Sequence, residues 1–99
     1  YYVPESHLES TKAAIFAAGA GGIGAYEHCA WQALGLGQFK PVNAAQPFIG
    51  ELNQLEQLPE WRVETIVPEA KASLVAQALK ASHPYEEPAF EFIQMVNID

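Results

Sequence analysis

Ninety-nine residues, 49% hydrophobic and 17% charged, describe one small globular domain rather than a disordered or membrane-embedded chain. Five Lys and Arg against twelve Asp and Glu leave a formal net charge of -7, which argues against nucleic acid as a partner because phosphate backbones are bound through clustered cations. The single cysteine, Cys29, excludes an internal disulfide, and a reducing cytoplasm is the expected compartment.

In chain order, Tyr1–Val3 reads as the tail of a first strand. Val3-Pro4-Glu5 then opens a helix reaching Ala18. Proline suits a first helical turn because its missing N–H would have no partner there. Ser6 followed by Glu9 has capping-box spacing. Leu8, Thr11, Ile15 and Ala18 form a narrow apolar stripe, and Gly19 is the expected stop. The apolar run Ala13–Tyr26 is too short to cross a bilayer, which takes about 20 residues, so no membrane association is expected. Gly19-Ala20-Gly21-Gly22-Ile23-Gly24 has Gly-x-Gly-x-x-Gly spacing, but a dinucleotide site needs a strand before it and a helix after it. Here a helix precedes and a strand follows, so the run reads as a helix cap and a close-packed turn.

Tyr26–Leu34 alternates as a second strand, with Cys29, Trp31 and Ala33 expected on the core face and Tyr26, His28, Ala30 and Gln32 on the other. Gly35–Gln57 is a long connection, read as strand extensions plus an ordered excursion anchored by Phe39, Phe48, Ile49, Leu52 and Leu55. Trp61–Val67 is a third strand, rich in β-branched residues. If Val63, Thr65 and Val67 face the helices, the opposite face offers Arg62, Glu64 and Ile66, joined by Glu91, Ile93 and Met95. Val67-Pro68-Glu69 repeats the earlier opening and starts a second helix over Ala70–Lys80, with Leu74, Val75, Ala78 and Leu79 inward. Pro84 stops it, and Phe90–Val96 is a fourth predicted strand. The order β-α-β-β-α-β predicts a ferredoxin-like α+β sandwich over residues 1–99, two helices on one face of a four-stranded antiparallel sheet.

Several segments carry a resemblance. Gly22-Ile23-Gly24-Ala25-Tyr26, Cys29-Ala30-Trp31, Gly35-Leu36-Gly37-Gln38-Phe39-Lys40-Pro41, Pro47-Phe48-Ile49-Gly50 and His83-Pro84-Tyr85-Glu86-Glu87-Pro88-Ala89 follow one another in this order. Together they resemble the CutA/PII-like domain of the NIF-three-like proteins. The resemblance implies the ferredoxin-like fold and, by analogy between folds, self-association as a dimer or trimer. In longer members this domain is inserted into a larger metal-binding body whose ligand motifs have no counterpart here, so the resemblance carries no hydrolase activity over. Asn53 stands where family members tend to have Gly; Asn tolerates the left-handed conformation, so the turn is expected to survive.

The run His83-Pro84-Tyr85-Glu86-Glu87-Pro88 is the sharpest chemical signal. Its structural reading is a Pro-bounded turn in which His83 meets the end of the second helix and Tyr85 packs at the core edge. Its functional reading is a divalent-metal site using His83 with Glu86 or Glu87, and His28 if the sheet brings it near. Neighbouring strand residues face opposite sides, so His28 and Cys29 cannot share one ion without a bulge, and Cys29 is expected in the core. His7, in a first helical turn, is expected to be solvated.

The expected function is a non-catalytic binding or regulatory module that self-associates through its sheet and long connection. The alternative is a small divalent-metal-binding protein. A third reading is an enzyme whose active site forms where Gly35–Gln57 meets the His-Pro-Tyr-Glu-Glu-Pro loop of a neighbouring subunit.

Overall fold

The computed structural model describes residues 1–96. Its two halves each begin with a short strand or strand end, a Pro-led turn and a helix. Pro4 and Pro68 are extended residues that each lead into a 3-10 turn, at Glu5–His7 and Glu69–Lys71. The helices follow directly: α1 spans Leu8–Ala17 and α2 spans Ala72–Ser82. The Ser6–Glu9 capping box does not form. The Ser6 hydroxyl instead bonds the adjacent His7 Nδ1 at 2.8 Å. The extra 3-10 turn moves the helix start past Ser6, beyond reach of the reciprocal cap.

Gly19 ends α1 in a Schellman motif. Its N–H donates to the Phe16 carbonyl and the Ala20 N–H to Ile15 O, at 3.1 and 3.0 Å. The motif needs a left-handed residue, and Gly19 has φ +120. A Cβ at this position would also lie 2.5 Å from Lys71 Cδ of the second 3-10 turn.

The sheet is antiparallel with order β1-β3-β2, where β1 is Tyr2–Val3, β2 is Ala30–Phe39 and β3 is Glu56–Thr65. This is the ferredoxin-like order without its fourth strand. Phe90–Val96 joins no ladder, and its link to β1 is a bond from Tyr2 N–H to the Ala89 carbonyl, 3.3 Å. β1 is two residues long, so it offers few free groups to pair with. Ile93 within this segment is 77% exposed.

Register fixes the faces. Gln32 lies opposite Val63, and the Gln32 side chain accepts a 2.9 Å bond from Lys12 of α1, so even-numbered β2 residues face the helices. Trp31 and Ala33 lie opposite Glu64 and Arg62 on the open face. This reverses the expected placement of Trp31, which is 58% exposed. Cys29 is half-buried in the turn before β2 rather than in the core. His28 also moves: its φ of 57 turns the chain, and its ring stacks on Phe16 of α1 at 5.0 Å and 10°. This left-handed turn is why β2 begins at Ala30 and not at Tyr26.

Two small clusters make the core. Ile15, Ala20, Val75 and Leu79 close the space between the helices, with Phe90 and Val67 against them. Val3, Leu8 and Val63 join α1 to the sheet. Thr11, fully buried, is satisfied by donating to the His7 and Leu8 carbonyls and by pairing with the Tyr1 hydroxyl at 2.9 Å. Leu74 points outward, so the apolar stripe of α2 is narrower than its sequence suggests. No helix among the described residues is long and apolar enough to cross a membrane.

β2 and β3 pair over ten residues each, well beyond the helix layer. Leu34 and Leu36, on the helix-facing register, are therefore exposed. The glycine run before β2 is internally bonded: the Gly21 N–H donates to Ile66 O at 2.7 Å, and the Cys29 N–H to Gly21 O at 2.9 Å. Those amides are spent on the fold, in keeping with a packed turn.

Candidate functional site

The long connection is an ordered excursion between Phe39 and Glu56. Asn53 closes its neck by donating its N–H to the Pro41 carbonyl at 2.6 Å, with the left-handed φ of 62 that Asn accommodates. Turns at Val42–Ala45 and Glu51–Gln54 fold the rest. The excursion then bends back onto the His-Pro-Tyr-Glu-Glu-Pro loop of the same chain. The Gln46 N–H donates to Glu86 Oε1 at 3.3 Å, and the Phe48 and Tyr85 rings lie 6.5 Å apart. These contacts lie within one chain.

His83, 7% exposed, organises that loop. Its Nε2 lies 2.6 Å from the Tyr2 carbonyl, an acceptor, so this nitrogen carries the proton. Its Nδ1 accepts the Tyr85 N–H at 3.1 Å. Both ring nitrogens are thereby occupied in the neutral form. Burial pushes the imidazole below its ordinary pKa, against the Tyr2 bond, which raises it, and with the nearby His7, which lowers it. Such a ring ties α2 to β1 and offers no lone pair to an ion.

The four residues expected to hold a metal are not gathered. His28 stacks on α1, His83 is locked between Tyr2 and Tyr85, and Glu86 and Glu87 line a cavity whose lining includes neither histidine. Among the described residues no group of three or more His, Cys, Asp or Glu side chains is placed to hold a metal ion. His7 is half-buried rather than solvated: its ring meets Phe48 edge-on at 5.5 Å.

The cavity measures about 380 Å³ and lies between the excursion, the loop and the ribbon. Phe39, Phe48 and Tyr85 supply aromatic walls, and Glu60, Glu86 and Glu87 supply carboxylates. The Tyr85 hydroxyl donates to Glu60 Oε2 at 3.3 Å. Burial first, and then the charge and acceptor of Glu60, push the phenol up to about 12. It therefore stays protonated and stays a donor. Glu60 reaches this position by lying across β2 at Gly37, where a Cβ would meet its carboxylate at 2.7 Å.

Sequence reasoning missed Phe39 and Glu60 as site residues and treated Phe48 as a structural anchor. The available signal was the pair Gly35 and Gly37 inside an otherwise apolar strand, since glycine in a strand marks close approach by another group.

Comparison with known proteins covers nearly the whole chain but a small part of each relative. A Mycobacterium leprae protein named GTP cyclohydrolase 1 type 2 homolog is 45% identical over 95 residues, 96% of this chain and 25% of its own length. A Bacillus subtilis protein of the same name is 48% identical over 90 residues, 91% of this chain and 24% of its own. The crystal structure of a Bacillus cereus protein related to NIF3 superposes with a TM-score of 0.73 at 41% identity, over 89% of this chain and 22% of that one. No protein-family model matches the chain. The chain spans about a quarter of the length of the relatives it matches.

Proposed function

We propose that this chain, similar to about a quarter of the length of proteins named GTP cyclohydrolase 1 type 2 homolog and to part of a protein related to NIF3, serves as a self-associating, non-catalytic binding module. The observation that carries this reading is the β2 edge. Its ten residues, Ala-Trp-Gln-Ala-Leu-Gly-Leu-Gly-Gln-Phe, contain no charge and no proline. β2 sits at the outside of the sheet, so its outer row of N–H and C=O groups has no ladder partner among the described residues. Natural edge strands are ordinarily blunted by Lys, Pro or a bulge, because a bare edge templates pairing with another chain. Here Trp31, Leu34 and Leu36 add exposed apolar surface on both sides of that edge. A second copy offers a complementary edge by symmetry.

The proposal is tested by sedimentation velocity on the 99-residue chain and its Leu34→Lys variant. Leu34 is exposed, so the change should alter monomer stability by no more than about 0.5 kcal/mol. The expected result is an oligomer for the wild type and a shift toward smaller species for the variant. A wild-type protein that stays monomeric at high concentration, or a variant that assembles unchanged, overturns it.

A further inference from the structure

We propose that the cavity between the excursion and the His-Pro-Tyr-Glu-Glu-Pro loop binds a small organic cation, recognised by three aromatic rings and three carboxylates. Its volume of about 380 Å³ falls in the range of small-molecule sites, roughly 300–1,000 Å³. The walls decide the ligand's chemistry. Phe39 and Tyr85 lie 6.0 Å apart at 53°, and Phe48 and Tyr85 lie 6.5 Å apart at 49°. All three rings line the same cavity, and an aromatic π face attracts positive charge.

Charge points the same way. Glu60, Glu86 and Glu87 line the space against the single cation Lys40 among its lining residues. An anion would meet three carboxylates. A neutral ligand would cover the rings and gain nothing from the carboxylates. A bare divalent ion would find too few ligands together, because the rings cannot coordinate it and His83 has spent both nitrogens. An alkylammonium group suits both wall types, since its apolar surface rests on the rings while its charge is balanced by the carboxylates. The Tyr85 hydroxyl, held protonated, orients Glu60, and the Gln46 N–H orients one oxygen of Glu86.

The test is titration of the 99-residue chain with choline, read by calorimetry or ligand-observed NMR. Its neutral carbon isostere, 3,3-dimethyl-1-butanol, is the comparison. Choline should bind saturably, and the isostere about tenfold or more weakly, a difference of roughly 1.4 kcal/mol. Phe48→Ala and Glu60→Gln should each weaken choline about tenfold, in the range expected for one cation–π wall or one charge partner. Glu51→Gln, at an exposed carboxylate outside the cavity lining, should leave it unchanged. Circular dichroism confirms that the variants fold; Glu60→Gln preserves side-chain shape if Phe48→Ala does not fold. Absence of saturable choline binding overturns the proposal, as does equal affinity for the isostere or equal affinity in the cavity variants. Sedimentation reads self-association and titration reads cation capture, so the two proposals fail separately.

Discussion

At the scale of single residues, His83 ties the end of α2 to β1 through Nε2 and fixes its own loop through Nδ1. Its neutral form is the one the fold accepts, so the unfolded chain takes up its proton first as pH falls. The stability contribution is complete above the ordinary value of 6.5 and is lost as pH drops from there through the lower native value. Thermal melts from about pH 8 to about pH 5 should show a fall in Tm that is shallower in His83→Ala. Equal slopes would mean that the imidazole is not held neutral by its surroundings. The role of His83 as a helix-end residue was legible in the sequence, because proline follows it and a helical stripe precedes it. Its partners were not. Tyr2 lies 81 positions away, and no local periodicity encodes a contact of that span.

At the scale of elements, period decided what could be read. Of the expected stripe Leu8, Thr11, Ile15 and Ala18, the first three are buried, while Ala18 caps the helix and is half-buried. In α2 the same logic marks Val75 and Leu79 correctly and Leu74 wrongly, since the second helix covers its partner only along one narrow row. The two leucines therefore separate by experiment. Leu79→Ala removes a side chain from the helix–helix cluster and should cost about 2–5 kcal/mol, whereas Leu74→Ala should stay within about 0.5 kcal/mol. Urea midpoints measure both. Strands were harder, because alternation names two faces without saying which is inside. Alternation groups Trp31 with Cys29 and Ala33 on the expected core face, yet the register and the Lys12–Gln32 bond put it on the open face. Phe90–Val96 alternates as well as any strand here, but alternation needs a partner edge to become a ladder, and β1 offers only two residues.

At the scale of the whole molecule, the helices and the near end of the sheet form a packed body, while the far end of the β2–β3 ribbon extends past it, giving dimensions of 49 × 24 × 24 Å. The two regions are held differently. The near end is anchored by Val3, Leu8 and Val63, all buried, and the Val63 N–H donates to Tyr1 O at 2.7 Å. The excursion is held by the Asn53–Pro41 neck, the Gln46–Glu86 bond and rings that remain partly exposed. Amide hydrogen exchange should therefore be faster at Gln46 and Asn53 than at Val63, reporting opening of the excursion while the packed body stays closed. Comparable protection at all three amides would show that the molecule opens only as one unit. The sequence pointed to a meeting of Gly35–Gln57 with the His-Pro-Tyr-Glu-Glu-Pro loop, but not to Glu60, whose place beside Tyr85 follows from strand register and the gap at Gly37.

The bending back of the excursion has a kinetic corollary. The rings of His7, Phe48 and Tyr85 come from three stretches some forty positions apart, whereas β2 and β3 can zip outward from contacts already made. Closing such spans is slow relative to local pairing, even though each doubling of span adds only about 0.6 kcal/mol. During refolding, the recess should be the last region to acquire its native shape.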